Sequence, residues 1–194
     1  MSGDNFNRFA NWYDVFIHPR KNVVWQNLIS TNKKPLIIDL GGGTGRLVPH
    51  LLNTANRVVL ADHSFLMLKA SKYASFSKVD RVCCDLSHLP FRKNIIANFV
   101  MVDTIHHLYH PKIILNKIGT LIHGENILLI EEPDIQFFMI KIIAFLERLL
   151  GMNSHFYKKE EILNWFPETD FERVTKQDGV NFYLILQQKE TRTN

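Results

Sequence analysis

Leu36-Ile37-Ile38-Asp39-Leu40-Gly41-Gly42-Gly43-Thr44-Gly45-Arg46-Leu47 is the stretch that decides the fold. Apolar residues lead into an acid, a glycine-dense turn follows, and a helix is expected over 46–53. This pattern describes a buried parallel strand that delivers the chain into a tight loop, where a ligand can approach the backbone closely. Glycine serves there because a side chain would block the approach, and because the turn visits backbone conformations that are costly for other residues.

Working outward, the same alternation recurs. A second strand over 57–61 ends at Asp62, and Ser64 is placed to cap a helix running to about residue 75. A third strand over 78–84 ends at Asp85, and a fourth over 98–102 ends at Asp103. A helix over 112–122, with Gly124 just past its end, precedes a fifth strand over 126–130 that ends at Glu131-Glu132. Short, continuously apolar strands are those covered by helices on both faces, so the alternation implies a doubly wound, Rossmann-like parallel α/β sheet. The C-terminal pattern differs. Strands over 171–176 and 181–188 flank Gln177-Asp178-Gly179-Val180, and Asp-Gly signals an antiparallel hairpin.

Bulk properties narrow the class. The chain of 194 residues has the length of one domain, and its 46% hydrophobic and 22% charged residues are those of a globular protein. A net charge of +4 with Lys and Arg scattered along the chain argues against a nucleic-acid surface. The two cysteines, Cys83 and Cys84, are adjacent and cannot staple distant parts of a fold, which implies a reducing, cytoplasmic setting. No secretory signal pattern opens the sequence. The apolar run over 137–146 is broken by Lys141, followed by Glu147-Arg148, and falls short of the ~20 residues a membrane span needs. It reads as a buried or surface-docking helix, compatible with peripheral membrane contact but not with an anchor.

In doubly wound sheets, ligands lie beyond the carboxyl ends of the strands. Here four successive strand ends carry Asp39, Asp62, Asp85 and Asp103. Helix capping explains one such acid better than four on one edge. Asp62 follows Asp39 by about twenty residues, the spacing at which such folds place an acid on ribose hydroxyls. Asp85 could accept from an exocyclic adenine amine, with the Leu86 amide facing a ring nitrogen, and Asp103 would border the remainder of the ligand. The dinucleotide fingerprint G-x-G-x-x-G fails, because its third glycine position holds Arg46 in one register and Val48 in the other. The phosphate loop fails too, since no Lys-Ser or Lys-Thr follows the turn. What remains is acid-x-G-x-G-x-G, with Gly41, Gly43 and Gly45 after Asp39.

On these residues the sequence resembles the class I S-adenosylmethionine-dependent methyltransferases, and within them the type 11 group that includes quinone-biosynthesis C-methyltransferases. The matching pieces are Asp39 to Gly45, then Leu60-Ala61-Asp62 followed by Met67-Leu68-Lys69, then Cys84-Asp85-Leu86-Ser87-His88-Leu89-Pro90-Phe91, then the stretch from Asp103 to His107. Tyr13 resembles a tyrosine that closes over the cofactor in relatives. Arg46 stands where the group commonly has an acid. The resemblance implies a seven-stranded sheet whose last strand is antiparallel, with S-adenosyl-L-methionine as cofactor and S-adenosyl-L-homocysteine as product. It implies that Gly41, Gly42, Gly43 and Thr44 line the methionine end, Asp62 the ribose, and Asp85 and Leu86 the adenine. Asp39, His63, Asp103, Thr104 and Tyr13 complete the expected cofactor set, and no metal is expected.

Methyl transfer from a sulfonium is an in-line displacement whose leaving group the cofactor supplies. The protein must orient the acceptor and exclude water, and it needs a base only where the acceptor loses a proton. The candidate bases are His106, His107, His110 and Glu132, with His107 the residue expected to touch substrate. The expected organisation is an N-terminal helical lid (1–33), a cofactor core (34–134), a helical lid insert (135–168) and a C-terminal hairpin (169–194). Phe6, Phe9, Trp12, Tyr13 and Phe16 in one lid, and the Phe, Ile and Met residues of the other, suit a small apolar or aromatic acceptor. The alternative is a catalytically inactive cofactor-binding or partner-activating module on the same fold.

Overall fold

In a computed structural model of the chain, the described residues are 34–149 and 154–189. The expected N-terminal lid, with Tyr13, lies outside them. Seven strands form one sheet: β1 (Leu36–Leu40), β2 (Arg57–Asp62), β3 (Val79–Cys83), β4 (Asn98–Val102), β5 (Ile127–Pro133), β6 (Phe171–Asp178) and β7 (Asn181–Gln188). Their order is β3-β2-β1-β4-β5-β7-β6. The helices are α1 (Val48–Leu51), α2 (Phe65–Ala70), α3 (Pro111–Gly119), α4 (Phe138–Leu149) and α5 (Lys159–Leu163). Two compact units divide the described chain. The first runs to Pro90 and takes in Ile96–Val100, and the second holds Phe91–Ile95 and everything from Met101 onward.

In the first unit β1 pairs in parallel with β2 on one side and with β4 on the other, and β2 pairs in parallel with β3. Ile37, Ile38, Leu40, Val58, Leu60 and Phe99 are fully buried, so consecutive residues of one strand are covered on both faces, as the unbroken apolar runs require. In the second unit β7 runs antiparallel to both β5 and β6. The hairpin turn is tighter than the four residues expected. Asp178 pairs directly with Asn181, leaving Gly179 (φ 58°) and Val180 as a two-residue loop.

The helices differ more from their expected bounds. α1 is a single turn over Val48–Leu51 rather than 46–53, because Gly45 (φ 83°) still belongs to the loop and Pro49 can stand only in the first turn. α2 begins at the expected cap, where Ser64 Oγ accepts the Met67 N–H, but stops at Ala70 rather than near 75. Ser71 turns extended there, and the Arg81 guanidinium, reaching across from β3, takes the Leu68 carbonyl at 2.9 Å. α3 stops at Gly119, and residues 120–122 continue as a tighter turn. β5 runs through both of its acids to Pro133.

Gly45 joins this turn to the sheet. A Cβ on it would lie 2.9 Å from Leu60 Cδ1, 3.1 Å from Ser71 Oγ and 3.1 Å from Val48 Cγ2, at a left-handed φ. Gly45→Ala is therefore expected to destabilise the protein by about 2–4 kcal/mol, combining backbone strain with overpacking. Urea denaturation followed by circular dichroism checks this.

Candidate functional site

The glycine turn is built by the ends of β1 and β2. The Gly41 N–H continues the ladder by donating to the Ala61 carbonyl at 2.7 Å. Gly43, at φ 51°, turns its N–H onto Asp62 Oδ2 at 2.9 Å, while Asp62 Oδ1 accepts the Ser64 N–H at 2.7 Å. One carboxylate thus holds the turn after β1 and the cap of α2. Burial raises the Asp62 pKa against these two bonds and the nearby His63, which favour the charged form. The carboxylate keeps accepting capacity beyond these backbone amides.

A Cβ on Gly43 would meet Met67 Cε at 3.2 Å and approach Asp62 Oδ2 at 3.9 Å. Asp39 sits beneath the loop rather than on its open side. Its carboxylate is buried, with Oδ2 3.0 Å from where a Gly42 Cβ would stand. Burial pushes its pKa up to about 7, opposed by Arg46 and reinforced by Asp62. The Cys84 N–H donates to the Asp62 carbonyl at 2.9 Å, which brings the end of β3 beside the end of β2. Asp85, the next residue, is exposed. Its Oδ1 accepts the Ser87 N–H at 2.7 Å, a bond that holds the carboxyl below the usual range, while Leu86 turns inward. Thr44 is half-buried and His63 exposed, with the His63 carbonyl accepting from Cys83 Sγ at 3.5 Å.

The remaining predicted residues lie in the second unit. Asp103 has φ 50°, a left-handed conformation that aspartate tolerates better than most residues, and its N–H donates to the Glu131 carbonyl at 3.0 Å. The chain then enters a short turn over Ile105–His107. Glu132 Oε1 accepts the N–H of Thr104 at 2.7 Å and of Ile105 at 2.6 Å, and its Oε2 lies 2.6 Å from His106 Nδ1. The Thr104 hydroxyl donates back to the Val102 carbonyl. A strap over residues 154–157 covers this turn. His155 donates its N–H to the His106 carbonyl at 2.7 Å, Phe156 stacks on the His106 ring at 4.5 Å, and Ser154 Oγ lies 3.2 Å from His107 Nδ1.

The two neighbouring imidazoles are thereby set apart. Burial disfavours charge on His106, but Glu132, with Asp103 and Glu147, outweighs it and the pKa is raised. Burial, assisted by the charge on His106, drives the His107 pKa well below its ordinary value, so His107 is neutral near physiological pH. Glu132, a candidate base on the sequence, clamps the turn. The strap was not anticipated, and its only trace in the sequence is the aromatic pair Phe156-Tyr157.

Residues 38–130 match the family model described as a methyltransferase domain. By that match residues 38–130 are similar to the methyltransferase-domain family. No curated protein matches the chain by sequence. Among solved structures, an S-adenosylmethionine-dependent methyltransferase from Thermotoga maritima aligns with a TM-score of 0.73 at 18% identity, covering 95% of this chain and 98% of that one. One from Anabaena variabilis aligns at 0.71 and 19% identity, covering 97% and 96%. Magnesium protoporphyrin IX methyltransferase from Synechocystis, with bound S-adenosylhomocysteine, aligns at 0.66 and 16%, covering 96% and 97%. At these identities the likenesses speak for the fold. S-adenosylmethionine is the cofactor of this family. The first unit fits it, with a glycine at 43 where even a Cβ would press on Met67, and carboxylates at Asp62 and Asp85 that can accept from hydroxyl and amine donors.

Two predictions follow from the buried acids. Asp39 binds its proton more tightly folded than unfolded, so stability falls as pH rises from about 4 to about 7, by an amount on the order of 4 kcal/mol. In Asp39→Asn this fall should disappear, as measured by urea denaturation at about pH 5 and about pH 8. Glu132→Ala should cost about 3–5 kcal/mol, because it strands two amides and a buried imidazole. Adding His106→Ala should recover part of that loss, a coupling that a double-mutant cycle reads directly.

Proposed function

We propose that the chain transfers the methyl group of S-adenosylmethionine to a small, apolar or aromatic acceptor. The observation that carries this reading is the hydrogen bond between Gly43 and Asp62, which fixes a glycine turn and a carboxylate beside each other. The bound cofactor supplies an activated methyl group on a sulfonium.

In this reading Asp62 accepts from the ribose hydroxyls, and Asp85 with the Leu86 amide holds the adenine. The backbone of Gly41, Gly42, Gly43 and Thr44 lies along the methionine end. Asp39 supports the loop from beneath, and His63, Asp103, Thr104 and Tyr13 border the ligand. His107 is the residue assigned to the acceptor. A neutral imidazole can take a proton from a carbon, oxygen or nitrogen nucleophile, and the stack of Phe156 on His106 beside it suits a flat apolar partner. The segments 1–33 and 135–168 act as lids that exclude water. Two free thiols at Cys83 and Cys84 support a reducing, cytoplasmic setting.

Calorimetry with S-adenosylmethionine tests the core of the reading. Asp62→Ala is expected to weaken binding by about a hundred-fold or more through loss of charge-assisted hydrogen bonds, while keeping its circular dichroism spectrum. Unchanged affinity in Asp62→Ala would overturn the assignment. Methyl transfer from labelled donor to a metabolite panel tests activity. There His107→Gln should lower kcat while leaving cofactor affinity intact. Intact binding with no transfer to any acceptor would favour the non-catalytic module.

A further inference from the structure

The helix α4 is built inside out. Ile140 is its one buried residue, and Glu147, on the same flank, faces inward closely enough for its charge to act on His106. Oε2 of Glu147 is buried and has no hydrogen-bond partner among the described residues. Phe138, Met139, Ile142, Phe145, Leu146 and Leu149 face outward, from 44% exposed at Ile142 to 77% at Phe138. A surface helix ordinarily shows the reverse arrangement, apolar inward and charged outward.

The charges that α4 does expose are of one sign. Lys141 and Arg148 stand two turns apart on one flank of the apolar arc, and both are exposed. Glu147, the helix's acid, is the group turned inward. Long cationic stems beside an apolar face allow the rings to enter a hydrocarbon boundary while the charged ends reach headgroup phosphates. The helix is also anchored at both sides. Before it, the Asp134 N–H donates to the Val180 carbonyl at 2.9 Å and Asp134 Oδ1 accepts the Gln136 N–H at 3.0 Å. After it comes the strap on His106 and His107. The apolar arc is therefore presented by a held helix. Among the described residues no helix is long and apolar enough to cross a membrane.

We propose that the outer face of α4 is a docking surface for an anionic lipid bilayer. Phe138, Phe145 and Leu149 enter the headgroup–acyl boundary, and Lys141 and Arg148 pair with lipid phosphates and carboxylates. A groove-binding protein would need polar groups to pair around the patch, and α4 offers it two cations and no exposed acid.

Flotation of the full chain with vesicles tests this without any methyl donor, so its outcome is separate from the methyl-transfer reading. The chain should float with phosphatidylcholine–phosphatidylserine vesicles and far less with phosphatidylcholine alone. The double variant Phe145→Ser, Leu149→Ser should lose flotation while keeping its circular dichroism spectrum. The double variant Lys141→Gln, Arg148→Gln should bind mixed vesicles roughly thirty-fold more weakly. Absence of flotation with mixed vesicles overturns the proposal, as does equal flotation of wild type and the serine variant. A dimer in light scattering that the serine variant disperses, without flotation, also overturns it and assigns the face to a second copy.

Discussion

The carboxylate of Asp62 accepts the Gly43 amide on one oxygen and the Ser64 amide on the other, and this pair of bonds fixes the cofactor edge of the first unit. Gly43 would otherwise have a choice of turn conformations, since glycine loses more freedom on ordering than any other residue. Tying its N–H to the end of β2 selects one of them. The same carboxylate starts α2, whose Ser64 cap would be half-satisfied without it. Desolvation opposes the arrangement, and the raised pKa of Asp62 records that opposition. A buried carboxylate that still has accepting capacity is one that a hydroxyl-bearing ligand stabilises further.

Much of this was legible in the sequence because it depends on neighbours along the chain. β1, β2 and β4 begin where expected, since each carries an apolar run that leads to an acid. The cap at Ser64 follows from its position before an apolar turn. The ends of elements were less legible, because distant groups set them. α2 stops where Arg81, on β3, donates to the Leu68 carbonyl. β5 continues through Glu131 and Glu132 because their partners arrive from elsewhere, Asn181 on β7 for the first and the Thr104–His106 turn for the second. A run of apolar residues meeting two acids reads as a strand end; the ladder to β7 makes it a strand interior.

The candidate site divides in the same way. Glycine spacing and the acid at the end of β2 mark the turn, but nothing local distinguishes Asp62, which faces the turn, from Asp39, which lies beneath it. The difference is one of depth: Asp39 is the fourth residue of β1 and is enclosed, whereas Asp62 closes β2. In the second unit, the sequence offers three histidines and an acid without assigning them. Their roles come from contact. Glu132 clamps one imidazole and raises its pKa, while burial, with His106 beside it, lowers that of the next. Two adjacent histidines thus acquire opposite protonation preferences from one carboxylate.

The inverted helix α4 follows from the same electrostatics. A buried His106 that favours its charged form is stabilised by every acid brought near it, and Glu147 is such an acid. Turning Glu147 inward commits the rest of the helix, because residues opposite it on a 3.6-residue period must then face outward. Those residues are phenylalanine, isoleucine and leucine. A chain that needed only to cap the His106 cluster could place polar residues there at no cost to packing. An outward face that is instead aromatic and aliphatic, with cations alone at its margin, has a surface composition that burial among the described residues does not explain, and an apolar boundary with anionic headgroups does.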